Sequence, residues 1–73
     1  MSLGQIIKTV RLSTGMTQKD FGLSVGLGKA GPDVTVSRYE TGDSSPSLKT
    51  FRIMTEKYEF PGQWLSQNIW VDW

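Results

Sequence analysis

The chain contains no cysteine and no histidine. The first absence excludes disulfides, thiolate nucleophiles and cysteine zinc sites; the second removes the commonest general base and metal ligand. An enzyme is therefore disfavoured, and no cofactor is expected. Apolar runs reach only two or three residues, far short of the ~20 that a membrane span needs, and no charged-then-apolar leader opens the chain. No membrane partner is expected, and the reducing cytoplasm is the expected location. Charge of one sign is lacking too. Eight Lys and Arg against seven Asp and Glu leave a net charge of +1, weak for a nucleic-acid binder, whose non-specific affinity comes mostly from phosphate contacts. Total charge decides nothing here; what matters is whether the basic residues share a face. Seventy-three residues make a single domain over 1–73, and so short a chain buries only about 60% of its unfolded surface, so pairing is a natural source of added stability.

What is present is helical periodicity broken by glycine and proline. Leu3 to Thr14 sets Ile6, Ile7 and Val10 on one side and Gln5, Lys8 and Thr9 on the other, an amphipathic helix that Gly15 can end. The first three residues carry no further argument. Thr17 with Asp20 has the spacing of a capping box, and Met16 with Phe21 that of a hydrophobic staple, so a second helix starts at Thr17 and buries Phe21 and Val25. Gly22 lies between those two and costs about 1 kcal/mol of helix propensity against Ala, which points to close approach of another backbone, the third helix. Pro32 suits the first turn of that helix and Asp33 its positive end, with Val36, Tyr39 and Glu40 inward and Gly42 the stop. Pro46 with Ser45 or Ser47 opens a fourth helix through about Tyr58, burying Leu48, Phe51, Met54 or Thr55, and Tyr58. Pro61 opens a short fifth with Trp64 and Leu65.

Between helices two and three, GLGKAG matches G-x-G-x-x-G at Gly26, Gly28 and Gly31. A dinucleotide fingerprint needs a preceding strand and a βαβ unit, whereas a capped helix precedes this turn and the chain has no room for a nucleotide fold. Two short helices joined by a glycine-containing turn instead outline a helix-turn-helix; a helical bundle without a nucleic-acid role is the plainer alternative.

Four segments in order carry a resemblance: G-M-T-Q-K-D-F-G at 15–22, V-S-R-Y-E-T-G at 36–42, S-P-S-L-K-T-F at 45–51 and W-L at 64–65. Together they resemble the phage Cro/repressor-type (XRE-like) helix-turn-helix family of prokaryotic regulators over roughly residues 4–65. The resemblance implies an all-α, five-helix, lambda-repressor-like domain with the helix-turn-helix at helices two and three, its core at about 4–66 and an aromatic tail at 67–73. It implies that Asp33, Val34, Thr35, Ser37 and Arg38 face base edges. Gln18 matches a glutamine that contacts phosphate and braces the recognition helix, with Thr17, Lys19, Lys29, Thr41, Ser44 and Lys49 along the DNA backbone. Arg11 and Glu40 match a buried ion pair tying helix one to helix three.

The chemistry of these residues fits unevenly. Arg38 can donate two bonds to guanine O6 and N7 or hold a phosphate; Val34 and Thr35 can meet a thymine methyl; Ser37 can bond base or phosphate. Asp33 can accept from cytosine N4, but phosphate repels it, and partnership with the helix dipole is the stronger alternative. The sequence departs from the family pattern twice. The turn at Gly26 to Pro32 runs about four residues longer than a compact helix-turn-helix needs, which either extends the DNA footprint through Lys29 or loosens the loop. Arg52 stands where the family has an apolar residue, as a stem packed on the core with its charge in water. In the tail, Ile69, Trp70, Val71 and Trp73, with Trp64 before them, are too apolar to sit together in water. They either fold back or meet a second copy. The expected function is a sequence-specific repressor acting as a homodimer on double-stranded operator DNA. The alternative is an antitoxin-like module that binds a protein partner.

Overall fold

The computed structural model describes residues 2–28 and 31–60. Helix α1 spans Leu3–Thr14 and ends at Gly15 as the periodicity predicts. Its start is fixed by a signal the sequence reading passed over, a reciprocal capping box in S-x-x-Q. The Gln5 N–H donates to Ser2 Oγ (3.2 Å) and the Ser2 N–H to Gln5 Oε1 (2.9 Å). Ile6, Ile7 and Val10 are buried and Leu3 packs against them.

Helix α2 spans Gln18–Ser24, capped by Thr17, whose Oγ1 accepts from the Asp20 N–H at 3.1 Å. The return bond from the Asp20 carboxylate is absent among the described residues; aspartate is one methylene shorter than the glutamate of a full box. Phe21 and Val25 are buried. At the other end the first glycine of GLGKAG explains itself. Gly26 has φ 90°, its N–H donates to Leu23 O (3.2 Å), and the Leu27 N–H donates to Gly22 O (2.9 Å). That pair of bonds is the Schellman motif, so Gly26 is a helix stop and Leu27 turns its side chain back onto the core.

Helix α3 spans Pro32–Thr41, with Pro32 at its first position and Gly42 at its end. It packs on both α1 and α2, and each contact depends on a missing side chain. A Cβ on Gly22 would lie 2.7 Å from Pro32 Cβ and 2.8 Å from Pro32 O, which is the close approach that its propensity cost implied. A Cβ on Gly4 would lie 2.7 Å from Glu40 O, an approach the sequence did not disclose.

Helix α4 spans Leu48–Lys57, capped by Ser47 Oγ accepting from the Thr50 N–H. Phe51 and Met54 are buried as expected, but Leu48 is not, at 50% exposure. Its position in the first turn precedes the point where the helix meets the core. Tyr58 is half-buried, stacked on Phe21 with ring centroids 5.1 Å apart. Its hydroxyl lies 2.6 Å from Ser24 Oγ. Phe60, not assigned to the core from sequence, is buried edge-on against Phe51 at 5.4 Å. Among the described residues the fold is thus four helices without a strand. The expected fifth helix at Pro61 and the aromatic tail lie outside them.

The two tight glycines make a stability prediction. Gly22→Ala and Gly4→Ala each force backbone apart and lower stability by about 1–3 kcal/mol, against the helix-propensity gain of about 1 kcal/mol from Ala. Gly28→Ala, where a Cβ meets nothing within 4 Å, leaves the urea midpoint unchanged or raises it.

Candidate nucleic-acid interface

Helix α3 divides into a locked face and a presented one. On the locked face Val36 and Tyr39 are buried, and the Glu40 side chain keeps only 5% of its surface exposed. A carboxylate so covered needs donors, and it has three. Arg11 Nε donates to Oε2 at 2.6 Å, Arg11 Nη2 to Oε1 at 3.2 Å, and Gln18 Nε2 to Oε1 at 3.1 Å. Arg11 Nη1 also donates to the Met16 carbonyl at 3.1 Å. One carboxylate on α3 thereby ties α1, α2 and the turn between them, with the two-point geometry that a guanidinium allows.

The presented face carries Asp33, Val34, Arg38 and Thr41, all exposed, with Ser37 half-buried between them. Val34, Ser37, Arg38 and Thr41 follow spacings of three and four and form a single stripe. Thr35 is also half-buried but lies on the flank of that stripe. Thr41, expected along the DNA backbone, stands at the C-terminal end of this stripe. The Arg38 side chain has no partner among the described residues, whereas Thr41 Oγ1 donates to Arg38 O at 3.2 Å. Asp33 is the acidic residue of the first turn of α3, at a helix start whose cap residue has no side chain. Its negative charge is therefore placed favourably near the positive helix end.

Around this face, Thr17 and Lys19 at the start of α2, Ser44 after α3 and Lys49 at the start of α4 are exposed. The Ser44 N–H is already given to Arg38 O (3.3 Å). Gln18 is half-buried, and its amide retains one N–H beyond the bond to Glu40. Lys29, Trp64, Ile69, Trp70, Val71 and Trp73 lie outside the described residues. Arg52 is exposed, on α4. No group of His, Cys, Asp or Glu among the described residues could hold a metal ion, and no described helix is long and apolar enough to cross a membrane.

A short helix with a locked inner face and a polar outer one, preceded by a second helix that braces it, is the outline of a DNA-reading motif. A helix-turn-helix family model matches residues 7–65. The chain belongs to the Cro/repressor-type helix-turn-helix family. Comparison with curated proteins and with solved structures gave no match. As a helix-turn-helix protein of this type it is a DNA-binding regulator, with α2 and α3 as the two helices of the motif.

Two predictions follow from the locked face of the motif. Arg11→Met leaves the Glu40 carboxylate short of its strongest donor and costs about 3–5 kcal/mol of stability, while the double substitution with Glu40→Leu recovers most of that loss; a chemical-denaturation cycle reads both. Burial raises the Tyr39 hydroxyl pKa above its ordinary 10.0. The folded state then holds its proton more tightly than the unfolded state. The associated stability is whole below pH 10 and is lost as pH climbs through the folded pKa. Tyr39→Phe should flatten that alkaline decline in thermal melts.

Proposed function

We propose that this chain is a sequence-specific transcriptional repressor, a single domain over residues 1–73 that occupies operator DNA as a homodimer in the cytoplasm. The observation that carries the proposal is the stripe on α3: donors and an apolar side chain face outward from a helix that three other groups hold by its Glu40 carboxylate. An α-helix enters the major groove of B-DNA and reads it through such a stripe. In this role Arg38, Val34 and Ser37 contact base edges, with Thr35 at the margin and Asp33 acting on the helix dipole. Thr17, Gln18, Lys19, Lys29, Thr41, Ser44 and Lys49 follow the phosphates. Dimerisation is assigned from sequence to Trp64, Ile69, Trp70, Val71 and Trp73, and would place two recognition helices about one DNA turn apart, ~34 Å.

A protein-binding role is favoured by a different observation. Leu12 and Leu23 are 60% and 49% exposed, on α1 and α2, and the net charge is only +1.

Selection of bound duplexes from a random pool separates the two. A palindromic enriched site supports the repressor dimer, and no enrichment at low salt supports the protein-binding role. On the enriched site Arg38→Ala costs about 1–3 kcal/mol and relaxes preference at one position. Lys49→Ala weakens all sequences alike and lowers the salt slope by about one. Equal losses from both substitutions on specific and random DNA would remove the base-readout assignment.

A further inference from the structure

The stripe on α3 is specific enough to name part of the sequence it reads, given the DNA-binding role proposed above. Val34 is 51% exposed, an apolar side chain at the N-terminal end of an otherwise polar stripe. Among the major-groove edges of the four standard bases, the apolar group is the thymine 5-methyl. Thr35, the other residue suited to a methyl, is half-buried on the flank of the stripe. Arg38 follows Val34 by one helical turn on the same stripe and has no described partner for its planar fork of donors. Guanine is the base that offers such a fork two adjacent acceptors, O6 and N7. No asparagine or glutamine occurs in Pro32–Thr41, so α3 lacks the amide that pairs with adenine at N6 and N7.

Four residues at about 1.5 Å of rise separate the two side chains by ~6 Å along the helix, close to two base steps at ~3.4 Å each. We infer that each half-site contains a thymine, recognised by its 5-methyl against Val34, and a guanine about two base steps away, recognised by Arg38 through O6 and N7.

Base analogues test this on the duplex enriched by selection. Failure to enrich any duplex would defeat the DNA-binding role itself, and with it this inference. Given an enriched half-site, replacing the thymine by deoxyuridine removes one methyl and nothing else, and should weaken wild-type binding about fourfold. Replacing the guanine by 7-deazaguanine removes the N7 acceptor and should weaken binding about tenfold. Val34→Ser should abolish the deoxyuridine effect while keeping the deazaguanine effect, and Arg38→Ala should do the reverse. Both residues are exposed, so these variants should keep the wild-type melting temperature. Deoxyuridine without effect at every thymine of the half-site would overturn the inference, because Val34 would then be an ordinary exposed side chain. So would analogue effects that persist unchanged in the matching variants, or a thymine and guanine more than three steps apart.

Discussion

The Glu40 carboxylate is the point on which this small fold depends. A nearly covered negative charge is expensive unless it is paired and hydrogen-bonded. Here the pairing brings Arg11 across from α1 and Gln18 from α2, so satisfying one oxygen pair fixes three helices at once. Helix α3 needs that external support. It has ten residues, a glycine at its cap with no side chain to bond the first turn, and β-branched residues at Val34, Thr35, Val36 and Thr41. Such a helix is marginal by propensity and length alone. Its conformation is set by what holds its inner face, which leaves the outer face free to be chosen for recognition.

The ion pair in turn depends on backbones that approach closely. Gly4 lets α1 rest against the last-turn carbonyls of α3, and Gly22 lets α2 rest against Pro32 at its first turn. One glycine sits near each end of α3, so the helix is clamped at both ends while Glu40 is drawn inward. A methyl group at either site would push α3 out and lengthen the bonds to Glu40. Packing and electrostatics are therefore one constraint here. At the other side of α2, the stack of Tyr58 on Phe21 and its contact with Ser24 join the end of α4 to the same helix.

Much of this was legible in the sequence wherever the physics is local. Gly15, Thr17, Pro32 and Gly42 stand at helix ends because capping depends on a residue and its nearest neighbours. Gly22 was legible through its cost. Two local signals were nonetheless obscured. The Schellman stop at Gly26 and Leu27 was hidden inside a match to a nucleotide-binding fingerprint, and Ser2, the capping half of the Ser2–Gln5 box, was among the first three residues, on which nothing was rested. Burial that depends on remote chain was harder. Leu48 has the right spacing from Phe51 to be core, but no periodicity says where along α4 the core begins. Arg11 and Glu40 are 29 residues apart, so only resemblance to a family could pair them. For the outer face of α3, the resemblance named the candidate residues, but ranking Val34 above Thr35 required knowing what flanks α3.

A net charge of only +1 bears on how a DNA-binding protein like this would bind in the proposed role. Lys19, Arg38 and Lys49 are exposed with the proposed face, but so are Asp33 and Asp43, and their repulsion from phosphate offsets part of the cationic gain. Since non-specific affinity rests on released counterions, the proposed role implies a small sequence-independent part of binding. In the proposed role a larger share comes from base edges and from a second half-site read by a partner copy. Both of those vanish on random DNA, whereas phosphate contacts do not. In the proposed role, a nearly neutral regulator therefore gives up affinity and search speed on bulk DNA for a larger ratio between its operator and everything else. That ratio is sensitive to any tilt of α3, and the satisfied, buried carboxylate at its inner face is what opposes such a tilt.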